Sequence, residues 1–182
     1  MKITDGQLRL SASDVANFLA CQQLTQLDLQ AARGERRPTR EFDIGFQDLV
    51  RRGEEHELTV LDQFLAQGHE VADLTHAEDP PGATKAAIQA GPEVIYQATL
   101  TAQGEHPLLG RPDFLVRADV LQARDGHPRP AARHYEVVDA KLARTAKARA
   151  VLQTAFYSRL SAAGTTMTCP WSPGCRPASA GR

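Results

Sequence analysis

Three charged residues lie inside two apolar segments of this chain and have the chemistry of a phosphodiesterase site. Asp113 is in GRPDFLVR, and Asp139 and Lys141 are in YEVVDAKLA. Because alternate side chains of a strand leave the same face, Asp139 and Lys141 are expected to place a carboxylate beside a fixed cation. Mg²⁺ and Mn²⁺ favour carboxylate oxygens, and the backbone carbonyl of Ala140 would be a further ligand. The pattern predicts a metal-dependent nuclease in which Lys141 stabilises the charge that develops on the phosphate.

The same three residues also have a simpler interpretation. Asp113 could cap a turn after Pro112, while Asp139 and Lys141 could be solvated charges on a half-exposed strand. However, two valines run directly into Asp139, and an apolar triplet follows Asp113. Charges placed inside apolar runs are costly unless they have a partner or a function. We therefore favour the metal site.

The composition sets limits on the class of protein. A chain of 182 residues can form one domain with a buried core. A net charge of −1 does not indicate a generally basic nucleic-acid binder, although a local basic cluster could still line a DNA groove. Without an apolar run of about 20 residues or a signal peptide, we expect no membrane contact and a cytoplasmic location.

Apolar periodicity and turn residues predict the order of the elements. Helices are expected over 13–32, 46–66 and 145–162, with a short helix within 76–90, and strands over 93–102, 110–121 and 134–142. The second and third of these strands should form an antiparallel hairpin with a long loop. This order predicts an α/β fold in which the last helix crosses back over the sheet. The segment 164–182 has no Asp or Glu and is rich in Pro, Gly, Ser and Thr, so we expect a disordered or aberrant tail.

Four motifs in order resemble a known nuclease family. They are GEEHE, GRPDFLVR, VVDAK and QTAFY. Together they resemble the RecB-like branch of the PD-(D/E)xK superfamily, and most closely the bacterial RecB-like nucleases in which a ribonuclease H-like domain follows the nuclease domain. The resemblance implies a restriction-endonuclease-like core over residues 1–163, with a central mixed sheet flanked by helices. It also implies DNA cleavage in repair or recombination, with a helicase or a ribonuclease H-like domain as partner.

The resemblance adds His56 as a metal ligand, because the RecB-like branch has a ligand His on an early helix. By itself, a histidine on the flank of a helix is more often an ordinary surface residue. The next residue, Glu57, lies near the middle of the apolar face of the second predicted helix, where a carboxylate needs a cation or metal nearby. We expect Glu57 to support the site.

The last predicted helix carries the remaining candidates. Gln153 and Tyr157 are four residues apart and project from one side; the resemblance implies that they support the active site or the DNA strand, and the alternative is the polar edge of a packed helix. Arg144 and Lys147 precede them and are candidates for phosphate contacts, or else they form a solvated face.

The sequence also allows two other interpretations of the function, and its cysteines raise the question of an iron–sulfur cluster. The chain could be a non-cleaving nucleic-acid-binding or scaffold module, the truncated remnant of a larger nuclease, or it could act on RNA. For the nuclease, we expect single-stranded DNA or DNA ends as substrate. We do not expect an iron–sulfur cluster, since four thiolates are the usual requirement and the chain has three cysteines, Cys21, Cys169 and Cys175.

Overall fold

The computed structural model describes residues 1–4, 6–37, 44–127, 134–142 and 147–164. Within these residues the helices are α1 (Ala12–Ala20), α2 (Gln22–Ala32), α3 (Ile44–Ala66), α4 (Pro80–Ala90), α5 (Ala118–Asp125) and α6 (Ala148–Gly164). The strands are β1 (Lys2–Thr4), β2 (Gln7–Ser11), β3 (Val71–Asp73), β4 (Val94–Tyr96), β5 (Leu100–Ala102), β6 (Leu108–Gly110), β7 (Phe114–Arg117) and β8 (Tyr135–Val138). The predicted α/β class is confirmed.

The described strands form two mixed sheets of four strands each. In the first sheet the order is β1-β2-β6-β5, and only β2 and β6 are parallel. In the second the order is β3-β4-β7-β8, and only β3 and β4 are parallel. The sheets are mixed, as the resemblance implied, but the sequence predicted three strands and one central sheet where the structure has eight described strands in two sheets. The additional strands are short, and periodicity over three to five residues is a weak signal.

The core lies on both sides of the second sheet. Strands β4 and β7 alternate strictly: Val94, Tyr96, Phe114 and Val116 pack with Phe64 of α3, whereas Ile95 and Leu115 pack with Leu160 of α6. Strands that are buried on both faces read as continuous apolar runs. Helices α3 and α6 therefore cover opposite faces of the sheet whose strand ends carry the candidate residues.

The helix predicted over 13–32 is two helices that meet at Cys21. Its backbone is extended, with φ −165° and ψ 111°, and it ends α1 and begins α2. The amide of Cys21 donates to the carbonyl of Asn17, and its carbonyl accepts from Leu24. The Asn17 side chain then donates to Asp28 of α2 at 3.0 Å. The break contains neither Gly nor Pro, so no residue type in the sequence indicated it.

All three predicted strands are shorter than expected. The run 134–142 is extended only over Tyr135–Val138, so Asp139 and Lys141 follow the strand and do not lie on it as predicted. The run 93–102 is divided between β4 and β5 by Gln97, whose φ is +54°. The run 110–121 is extended only to Arg117, and helix α5 follows until Gly126 caps it in the left-handed conformation. The connection from β7 to β8 therefore contains a helix and is not a plain hairpin loop.

The predicted tail lies outside the described residues from residue 165 onward, and so do Cys169 and Cys175. Cys21 is a free, exposed thiol. In the described part of the chain, no helix combines the length and apolarity needed to cross a membrane.

Candidate active site

The two candidate aspartates are brought together by strand pairing. Strands β7 and β8 are antiparallel, with Phe114 opposite Val138. One more step along this register places Asp113 opposite Asp139, just beyond the end of each strand. Directly opposed residues of an antiparallel pair project to the same side, with their Cβ atoms about 5 Å apart. The register therefore brings two distant carboxylates to one point at the end of the sheet.

Asp139 has a buried carboxylate with unused hydrogen-bonding capacity. Its side chain is 5% exposed, and Nζ of Lys141 lies 2.8 Å from its Oδ2. This contact is an ion pair outside hydrogen-bond geometry, and neither carboxylate oxygen has a hydrogen-bond partner. Burying a charged group with unsatisfied lone pairs is costly. The buried carboxylate therefore has acceptor capacity that a bound cation would satisfy.

Asp113 is held by the backbone of the neighbouring segment. The amide of Ala140 donates to its Oδ2 at 2.8 Å. Burial, followed by the proximity and negative charge of Asp139 and then the charge of Glu57, raises the pKa of Asp113 to about 7 against the opposing effect of the Ala140 amide. The site thus concentrates negative charge that one lysine does not neutralise.

Lys141 remains a cation in this environment. Burial acts to lower its pKa, but the close contact and charge of Asp139 and the charge of Asp113 outweigh burial, so that the pKa is raised. Its side chain is 42% exposed. An ammonium group that is fixed at one end of the carboxylate pair and open to solvent is available to an anionic ligand.

A cleft of about 360 Å³ separates α3 from the end of the β7–β8 pair. Its lining combines acidic, basic and apolar residues: Leu49, Val50, Gly53, Glu54, Glu57, Asp113, Ala140, Lys141 and Leu142. The volume falls in the lower range of small-molecule sites. Of the two aspartates, Asp113 lines this cleft, together with Lys141.

Helix α3 presents Glu57 to this cleft and not His56. Gly53 and Glu57 are four residues apart and line it together, whereas His56 is rotated about 100° from Glu57 around the helix axis. His56 is partly buried beside the cleft-facing surface, and its role as a ligand stays a prediction. Among the described residues, no group of three or more His, Cys, Asp or Glu side chains is arranged to hold a metal ion.

Gln153 and Tyr157 of α6 are hydrogen-bonded to each other. The Gln153 amide donates to the Tyr157 hydroxyl at 3.1 Å. Burial raises the pKa of Tyr157; the Gln153 hydrogen bond opposes this, and the charges of Asp139 and Asp113 add to it. The charges of both aspartates thus act on the phenol, and the role of Gln153 and Tyr157 in supporting the site stays a prediction.

Gly110 at the end of β6 allows α6 to pack closely against this strand. A Cβ at Gly110 would lie 2.7 Å from Leu160 Cδ1 and 2.8 Å from Tyr157 Cδ1. Real Cβ atoms do not make contacts this short, so a side chain at Gly110 would force the Leu160 and Tyr157 side chains of α6 to move. Of the two basic candidates that precede α6, Lys147 is exposed, and Arg144 lies outside the described residues.

Comparisons with protein-family models, curated proteins and solved structures found no match. The functional assignment therefore depends on the chemistry of the site.

Sequence reasoning missed two residues at this site, Tyr96 and Gln97. Burial, followed by the adjacent Glu57, raises the pKa of Tyr96 to about 12, so the phenol stays neutral. The side-chain amide of Gln97 donates to Glu57, and its backbone amide donates to the carbonyl of Asp113 at 2.8 Å. Both residues occur in a strand-like run with no turn residue, so the sequence contained no signal for them.

Proposed function

We propose that this protein is a Mg²⁺- or Mn²⁺-dependent nuclease that hydrolyses DNA phosphodiester bonds at Asp113, Asp139 and Lys141, beside the cleft that Asp113 and Lys141 line. The observation that carries the proposal is the buried Asp139 carboxylate, which lacks hydrogen-bond partners and stands opposite a second carboxylate. A role in DNA repair or recombination follows from the family resemblance and is part of the same proposal.

The donor set fits a hard divalent cation. Asp113 and Asp139 would hold it, with the carbonyl of Ala140 and the imidazole of His56 as further ligands in the proposal. Two carboxylates suffice for Mg²⁺, which commonly retains several waters and takes substrate phosphate oxygens as its remaining ligands. When bound, such a cation lowers the pKa of a coordinated water and neutralises charge on the phosphate.

The protein's own residues bind and orient the substrate. Lys141, which is protonated and fixed beside Asp139, binds a phosphate oxygen and stabilises the charge that builds up during attack. The Ala140 amide keeps the Asp113 carboxylate in one orientation. Tyr157, a neutral phenol oriented by Gln153, donates a hydrogen bond to the substrate strand. Glu57 excludes a second phosphate from the α3 wall by charge repulsion.

The rim of the cleft favours an unpaired strand. Leu49, Val50 and Leu142 line it and are 58%, 44% and 46% exposed. The faces of nucleobases pack on apolar surfaces only when the bases are not stacked inside a duplex. We therefore propose single-stranded DNA or DNA ends as the substrate, with Lys147 and Arg144 as candidates for contacts to the strand beyond the cleft.

A second candidate function is nucleic-acid binding without cleavage. It is favoured by the finding that the described residues contain no group of three metal-binding side chains. In this case a partner, such as a helicase or a ribonuclease H-like domain, would supply the catalysis. Cleavage of RNA would use the same chemistry as cleavage of DNA and is distinguished by the substrate alone.

Cleavage of end-labelled single- and double-stranded DNA and RNA in Mg²⁺, Mn²⁺ or EDTA tests these alternatives. Asp139→Asn and Asp113→Asn should abolish metal-dependent cleavage. Asp62→Asn, which changes an exposed aspartate of α3, is the matched control and should cleave like the wild type. Cleavage that persists in Asp139→Asn contradicts the proposed site, and DNA binding without cleavage by the folded wild type favours the binding module.

A further inference from the structure

Gln97 has an unusual backbone conformation at the edge of the cleft. Its φ of +54° is the only positive value at a non-glycine residue in the described part of the chain. The left-handed region is unfavourable for a residue with a Cβ atom, and it is visited mainly by Gly, Asn and Asp. A strained residue of this kind persists only when its surroundings hold it, and such residues cluster at functional sites.

The conformation redirects the Gln97 side chain from one face of the sheet to the other. Tyr96, the preceding residue, packs on the α3 side with Phe64, whereas Ile95 packs on the α6 side. Regular strand alternation would send Gln97 to the Ile95 side. Instead, its amide donates to Glu57 on α3. The positive φ of Gln97 therefore accompanies a contact on the α3 side, whereas regular strand alternation would direct the side chain to the α6 side.

Gln97 joins the two walls of the cleft through separate atoms. Its backbone amide donates to the carbonyl of Asp113 at 2.8 Å, which continues the β4–β7 ladder by one position. Its side chain bonds the Glu57 carboxylate, and hydrogen bonds to ionised acceptors are stronger than neutral ones. Asp113 and Glu57 both line the cleft.

We propose that Gln97 is a positioning residue that fixes Glu57 of α3 relative to Asp113, and so sets the width of the cleft for the cation and the phosphate. This inference rests on the proposed nuclease function. Gln97 does not itself touch the reacting atoms, so its effect should appear in cation affinity and in turnover.

A pair of substitutions separates positioning from stability. In Gln97→Gly the backbone adopts positive φ without strain, and the bond to Asp113 is retained while the bridge to Glu57 is lost. In Gln97→Ala the bridge is also lost, but the Cβ strain remains. We expect Gln97→Gly to melt at or above the wild-type temperature and Gln97→Ala below it. Both variants should lose about tenfold or more in kcat/KM, because small misplacements at a catalytic site cost up to about 100-fold.

Mn²⁺ binding measured by calorimetry gives a second readout that does not depend on turnover. Both variants should bind Mn²⁺ about threefold to tenfold more weakly than the wild type, since a carboxylate at the cleft wall is no longer held. Glu57→Ala removes the acceptor of the Gln97 side chain. The effects of Gln97→Gly and Glu57→Ala on Mn²⁺ affinity should be non-additive, because each removes the same contact.

The outcomes distinguish the inference from the function on which it rests. A wild type that cleaves DNA and binds Mn²⁺, together with a Gln97→Gly variant that matches it in both, overturns the inference and leaves the nuclease in place. Activity that simply follows melting temperature across the two variants also overturns it. A wild type that neither cleaves nor binds Mn²⁺ overturns the proposed function and the inference together.

Discussion

Replacing Asp139 by asparagine should stabilise the folded protein while abolishing cleavage. In the metal-free protein, Asp139 is a buried carboxylate without hydrogen-bond donors, and it repels Asp113 on the opposing strand. The introduced asparagine keeps the shape of the side chain, removes the charge and can donate to Asp113. Function and stability therefore oppose each other at this position, as expected where a site is built to receive a cation.

The size of the effect follows from the pKa of Asp113. A rise from 3.8 to about 7 in the folded state corresponds to roughly 4 kcal/mol of lost stability above pH 7, at about 1.4 kcal/mol for each pH unit. Burial is the largest cause and remains in the variant, so only the part due to Asp139 is recovered. Loss of the ion pair to the partly exposed Lys141 costs less than about 1 kcal/mol. We expect a net gain of roughly 1–2 kcal/mol in the free energy of unfolding.

The gain in the free energy of unfolding from Asp139→Asn should depend on pH. Because the folded-state pKa of Asp113 is raised, its ionisation lowers stability progressively from about pH 4 to about pH 7, and the full penalty applies above that range. Urea unfolding in EDTA, followed by circular dichroism, should show that Asp139→Asn is more stable than the wild type at about pH 8, with a smaller difference at about pH 4. Equal or lower stability of the variant at about pH 8 would refute the reasoning, because repulsion between the carboxylates would then not be a significant cost.

Three further predictions concern the same site. Mn²⁺ should raise the melting temperature of the wild type but not that of Asp139→Asn, because a ligand that binds only the native state stabilises it; an equal shift in both proteins would place the cation elsewhere. Lys141→Met should abolish cleavage and reduce the free energy of unfolding by roughly 1–3 kcal/mol, because the buried Asp139 carboxylate loses its cation while the lysine itself is partly exposed. Cleavage assays and urea titrations measure both effects, and a variant that still cleaves would remove Lys141 from the mechanism. Gly110→Ala should cost roughly 1–3 kcal/mol, because its Cβ would overlap Leu160 and Tyr157, and it should lower kcat by displacing α6; an unchanged thermal melt would show that α6 adjusts freely.

Most members of the candidate site could be selected from the sequence because their chemistry lies in short motifs. Asp113, Asp139 and Lys141 stand in strand-like runs where charges are conspicuous, and the four-residue spacing of Gln153 and Tyr157 placed them on one side of a helix. The sequence did not provide the register of β7 and β8, and register decides whether the two aspartates meet. It is set by long-range packing on α3 and α6, which periodicity within one segment does not reveal.

The features that were missed are those in which backbone geometry departs from residue preference. Cys21 ends one helix and begins another without Gly or Pro, and Gln97 adopts a conformation that its residue type disfavours. In both cases a side-chain hydrogen bond to another element stabilises the backbone geometry. Asn17 donates to Asp28 near Cys21, and Gln97 donates to Glu57. Tertiary contacts of this kind override local propensity. The angular position of Glu57, by contrast, was visible from the helical period alone.

The placement of the two aspartates on opposite strands makes cation affinity a property of strand alignment. A slip of β8 by one residue along β7 would turn Asp139 to the other face of the sheet while Asp113 stayed in place. Only the native register then offers two carboxylates to one ion. A divalent cation would therefore bind the correctly aligned sheet in preference to any slipped form and shift the population toward it in proportion to its concentration. The proposed metal would therefore favour the correctly aligned sheet during folding as well as serve as a cofactor.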